Sequence, residues 1–192
     1  MRYNMKNFFS LTIILSFTVS LFVYAEAPNF IGDKKFGYVG AEKCGMCHKK
    51  DADGNQLKVW QESKHAKAFE ALKTESATKL AGGDATKSAA CLKCHTTGAG
   101  ADASLNDAKF NPENGVQCEA CHGAGSEYKN MKIMKDRKAA VENGLVVWAN
   151  EGEIQVMCET CHATKNQPEG HPAAEFKFAD NYAKIAHKKP VK

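Results

Sequence analysis

The chain has 192 residues, 43% of them apolar and 25% charged, with 26 basic against 22 acidic side chains and a formal charge of +4. That length holds one domain or at most two. The near-even charge excludes a dedicated nucleic-acid binder, and the composition excludes bulk disorder and a multi-span membrane protein. Aromatic residues make up only 9%, and part of the apolar share lies in the first 25 residues, so large side chains for a core are few.

Residues 1–25 open with Arg2 and Lys6, continue with an apolar run over 8–24, and close on Val23-Tyr24-Ala25. A basic start, an apolar middle and a small residue before the cut read as a secretory signal peptide. Residues 26–192 are then a single exported domain, periplasmic or otherwise extracytoplasmic, with no stable membrane insertion after cleavage. The competing reading is a retained anchor, because the run reaches the lower limit of about 17 residues for a span.

The first Cys-x-x-Cys-His is Cys44-Gly-Met-Cys47-His48. Asp51-Ala-Asp53-Gly-Asn55 follows. Its acidic spacing resembles a calcium loop, but glycine stands at the fourth position instead of the sixth, which favours an exposed turn. Leu57, Trp60, Phe69 and Leu72 recur at helical spacing and predict a helix over 56–73, carrying His65. Residues 74–90 read as a weak helix with a surface loop. Then comes Cys91-Leu-Lys-Cys94-His95, and a Gly-, Asp- and Asn-containing loop over 98–114. The third motif is Cys118-Glu-Ala-Cys121-His122. Met131 and Met134 follow it, before a short helix over 135–142 that ends near Asn143-Gly144. Residues 145–148 are too short a run to assign. Cys158-Glu-Thr-Cys161-His162 is the fourth motif, followed by His171 in a Pro-Glu-Gly-His-Pro loop. A terminal helix is expected over 179–187, with His187 near its end and a lysine-rich stretch over 184–192 able to steer acidic partners.

All eight cysteines thus fall in four Cys-x-x-Cys pairs, each followed at once by histidine. This is the attachment pattern of c-type haem. On one helical turn, cysteines at i and i+3 face the same way and can form thioethers to two vinyl groups, and histidine at i+4 sits below the iron. Structural zinc, a disulfide framework or a thioredoxin-like redox pair would each leave the adjoining histidines unexplained. Four covalently bound c-type haems share the chain at roughly 40 residues each, too few for separate globin-like pockets. The haems must pack on one another. The expected fold is mainly α with extensive loops, a multihaem cytochrome c fold whose core is stacked haems.

His48, His95, His122 and His162 take the proximal positions, which leaves His65, His171 and His187 for four distal ones. Four irons cannot all be bis-histidine within one chain. The fourth position is Met131 or Met134, is open, or is filled from a neighbouring molecule, which leaves a homo-oligomer in view.

These residues resemble the cytochrome c-554 family of tetrahaem electron carriers. The resemblance rests on Trp60-x-x-Ser63-x-His65-Ala66-x-Ala68, on Gly115-Val-x-Cys118-Glu-x-Cys121-His122-Gly123-x-Gly125, and on the motif at Cys158 with Phe176-Lys-Phe178 after it. It implies a helical, loop-rich fold with closely stacked haem pairs. By family pattern His65 serves the haem of His122, His187 serves that of His162, and the haem of His95 is five-coordinate. The family's distal histidine for the first haem falls shortly after the third motif. Here that stretch holds Met131 and Met134 instead, which suggests histidine/methionine ligation. His171 then closes the second haem or leaves it open. The expected function is electron transfer between redox protein partners. Its competitors are a haem enzyme acting on small nitrogen oxides or hydroxylamine at an open haem, and a membrane-anchored quinol-oxidising protein.

Overall fold

The computed structural model describes residues 36–172 and 175–188. The leader expected over 1–25 lies outside the described residues, as does the end of the lysine-rich tail. Among the described residues the regular structure is helical, with no strand, and no helix is long and apolar enough to cross a membrane. Short helices and 3-10 turns alternate with loops.

Helix α1 (Ala41–Gly45) carries the first motif. A 3-10 turn over Asp51–Asp53 ends in left-handed Gly54, and the side chain of Asn55 donates to Asp51, so this segment is a self-bonded turn. Helix α2 (Gln56–Glu62) is capped by Asn55. The helix expected over 56–73 does not continue. Ser63 takes an extended conformation and its hydroxyl donates to Trp60 O at 2.7 Å. Beyond it the chain runs as 3-10 turns, His65–Lys67 and Glu70–Lys73. A local hydroxyl-to-carbonyl bond has outcompeted the helical ladder.

Helix α3 (Glu75–Ala81) starts at its Thr74 cap and stops at left-handed Gly82. It packs with the small core of Phe69, Leu72 and Ala85, against which Cys91 and Leu92 of α4 (Ala89–His95) also lie. The loop over 98–114 contains only two 3-10 turns. Helix α5 (Cys118–His122) carries the third motif. Helices α6 (Met131–Met134) and α7 (Arg137–Glu142) begin at Asn130 and Asp136 caps. The longest helix among the described residues, α8 (Glu151–His162), begins at Asn150, whose side chain accepts from Glu153 N, and ends on the fourth motif. The terminal helix expected over 179–187 is shorter: α9 spans Phe178–Tyr182 and His187 lies beyond it in irregular chain.

Fully buried apolar side chains among the described residues are Val39, Phe69, Leu72, Tyr128 and three alanines. The deepest large side chains include two polar ones, Gln117 and Glu119, at 1% and 2% exposure. Gln117 Oε1 accepts Ala41 N, and Glu119 accepts Val39 N, Gly40 N and Gly125 N at 2.7–3.1 Å. These bonds strap the start of α1 onto α5. Polar side chains here do the joining that apolar contacts do in an ordinary core.

Candidate functional site

Each of the four motifs sits at or across the end of a helix. Cys91–His95, Cys118–His122 and Cys158–His162 close α4, α5 and α8. At the first motif the helical turn runs one step beyond α1, with Cys47 N and His48 N both donating to Cys44 O. In every case the two cysteines and the histidine lie on one face of a turn.

The motifs are neighbours in a definite order. Cys44 and Cys118 share a side-chain hydrogen bond, which raises the first thiol and lowers the second. Cys94 and Cys161 share another, which lifts Cys94 and brings Cys161 down to about 6. Cys121 is pushed up to about 12, first by burial and then by the charges of Cys158, Cys118 and Cys161. The first motif therefore borders the third, the third borders the fourth, and the fourth borders the second.

Three motif histidines face a second imidazole. His65 lies 5.9 Å from His162, His171 lies 6.1 Å from His95, and His187 lies 5.9 Å from His122, centroid to centroid. An imidazole nitrogen bonds a first-row metal at about 2.0–2.1 Å, so two rings on opposite sides of one ion have centroids roughly 6.3 Å apart. The three pairs have that spacing. The partners differ from those the family pattern implies: His65 faces the fourth motif and His187 the third, because the turn at Ser63 and the docked C-terminal tail set their positions. His171 is not left in solvent but faces His95. No histidine ring opposes His48, and all seven histidines lie within the described residues. Met131 is 61% exposed, and Met134 is half-buried on the same short helix.

The surroundings suit iron-binding imidazoles. His95 Nδ1 lies 2.7 Å from Ala68 O; a carbonyl only accepts, so Nδ1 carries the proton and Nε2 is left for a metal. Burial, with repulsion from His187 and His48, holds His122 down at about 4. Burial likewise lowers His65, His162 and His171. All four are thereby kept in the neutral form that ligates. Phe176 stacks on His162 at 4.9 Å, and Trp148 lies 5.3 Å from His122. Trp148 Nε1 is buried with no hydrogen-bond partner. The carboxylate of a porphyrin propionate is a group that would satisfy such a donor.

A bare metal ion fits less well. Among the described residues no three His, Cys, Asp or Glu side chains converge to hold one. The eight thiols are free of disulfides. Gln117 and Glu119, which hold two motifs together, were missed as site residues in the sequence. The only signal was the Glu directly after Cys118.

Helical turns that pair two cysteines with histidine, on a fold of short helices and loops, are the attachment geometry of c-type cytochromes, proteins that bind haem covalently. Residues 43–123 match the family described as cytochrome c554 and c-prime. The segment includes the first three motifs. The chain is also similar to cytochrome c-554 of Nitrosomonas europaea, 27% identical over 157 residues. That match covers 74% of this chain and 64% of the relative, so the chain spans just under two thirds of the relative's length. No solved structure matches.

Proposed function

We propose that the chain is an exported tetrahaem electron carrier. The observation that carries this reading is the contiguity of four attachment motifs, in the order His48, His122, His162, His95, with three of the four histidines facing a second imidazole. Cys44, Cys47, Cys91, Cys94, Cys118, Cys121, Cys158 and Cys161 would hold the porphyrins, and the adjoining histidines would bind their irons. Bound there, haem supplies reversible one-electron chemistry at iron.

The chain's own residues account for the rest. Glu119 and Gln117 hold the first and third motifs together. Ala68 O fixes the tautomer of His95. Ser63 and the tail at Lys188 place His65 and His187. The thin apolar core supports haem as the interior of the single domain proposed over 26–192. A leader at 1–25 would place that domain outside the cytoplasmic membrane, in the periplasm, where redox proteins are its partners.

Coulometric titration of the matured protein tests this directly. The expected uptake is four electrons per chain. An uptake of three or fewer would contradict a four-centre carrier.

A further inference from the structure

Glu119 is an acid, yet it is only 2% exposed. Its hydrogen bonds identify its charge state. Oε1 accepts Val39 N and Gly125 N at 2.9 and 2.7 Å, and Oε2 accepts Gly40 N and Val39 N at 2.7 and 3.1 Å. Every one of these bonds is donated to the carboxyl group. A protonated oxygen would need an acceptor, which those amides cannot be, so the site is built for the carboxylate. Burial pushes Glu119 up, and the three amides oppose that push. The ion pairs among the described residues do not include it. Lys129 acts on it from a distance, with its ammonium 3.8 Å from Asp107 instead. The charge lies between two motifs: it opposes ionisation of Cys44 in the first and of Cys118 in the third. Cys94 and Cys161, in the second and fourth, answer to each other and to Lys93. Glu159 holds the same place in the fourth motif as Glu119 in the third, but it stands partly in solvent, where Gln155 Nε2 donates to it at 2.7 Å.

We propose that Glu119 tunes the irons held by His48 and His122: its fixed buried charge lowers the reduction potentials of that pair and leaves the pair held by His162 and His95 unaffected. This rests on the four-haem reading and deepens it. Reduction adds one electron to an iron and makes that centre more negative, so a carboxylate beside it favours the ferric state. The effect is large only where water does not screen the charge. Glu119 has that shelter and Glu159 does not. Electrons reaching the first and third motifs are thereby driven toward the fourth and second, which gives the spatial order of the motifs a direction.

The test is a spectroelectrochemical titration of the matured protein, its haem content first fixed by intact mass. Fewer than four haems would defeat the parent reading rather than this one. With four present, Glu119→Gln keeps the size of the side chain and removes its charge. Two of the four midpoint potentials should rise, and the paramagnetic shifts of the haem methyls should assign them to the irons of His48 and His122. Glu119→Asp, which keeps the charge, should hold the native values. Glu159→Gln should leave all four in place. If E119Q does not mature, redox-difference infrared spectra of the native protein carrying isotope-labelled glutamate serve instead: a labelled carboxylate band should shift as the first and third centres are reduced. Four unmoved potentials in E119Q would overturn the proposal. So would an equal rise at all four, the same rise in E119D or E159Q, or a difference spectrum without a labelled carboxylate band.

Discussion

The ring of His187 lies 5.9 Å from the ring of His122, tilted by 44°. The contact that fixes the tail bearing His187 comes from the other end of the domain. Gln56 Nε2 donates to Lys188 O at 2.8 Å, and left-handed Gly54 lies against Lys188. The turn that resembles a calcium loop is therefore a dock for the tail that bears His187.

Gln56→Leu removes that donor at similar volume. It should weaken tail docking by about 1 kcal/mol. The acid midpoint at which low-spin haem is lost should move to higher pH. An unchanged midpoint would show that the tail is held by iron alone.

Acid sensitivity follows from the buried imidazoles. His122 is held at about 4 in the folded protein, below the ordinary value of 6.5. Between those values the unfolded chain binds the extra proton and the folded chain does not, so stability falls as pH drops through this window. His65, His162 and His171 are shifted in the same direction. In protein freed of haem, denaturant midpoints measured from pH 7 to pH 4 should decline steadily. A flat profile would mean that these rings are solvated.

The two tryptophans give a contrast. Trp60 Nε1 donates to Val116 O at 2.8 Å, whereas Trp148 Nε1 has no protein partner. In protein freed of haem, or with propionates esterified, Trp60→Phe should cost about 1–2 kcal/mol and Trp148→Phe less than about 0.5 kcal/mol. In intact haem protein the Trp148→Phe cost should rise. Equal costs in both states would remove the propionate role argued for Trp148.

Gly115 stands at φ +78, and a Cβ there would run into His65 O. Val116 N also donates to His65 O at 2.9 Å, so the turn bearing His65 rests on this glycine. Gly115→Ala should cost about 2–3 kcal/mol and should broaden the low-spin signal of the iron proposed between His65 and His162. A variant of native stability and spectrum would show that the two segments can separate without consequence.

The geometry of the four motifs was legible because Cys-x-x-Cys-His is local: one turn of helix sets it whatever the fold. The helix caps at Thr74, Asn130, Asp136 and Asn150 are equally local, although the sequence reading did not single them out. What was not legible was long-range. The break at Ser63 depends on a hydroxyl choosing Trp60 O over solvent, and a helical apolar spacing conceals it. Helix α8 has few apolar residues, so its pattern is faint although its Asn150 and Glu153 start is regular. The pairing of His65 with His162, and of His187 with His122, depends on chain packing that spacing does not encode. Glu119 looks like a surface residue of a short helix until the backbone N–H groups of Val39, Gly40 and Gly125 converge on it.

The claim on which the rest stands is that porphyrin is attached at four places. Intact mass spectrometry of the exported, denatured protein measures this directly. The account predicts a mass greater than that of the polypeptide by four haems, with no thiol left to alkylate. Alkylatable cysteines at any motif, or a mass carrying three haems or fewer, would contradict it.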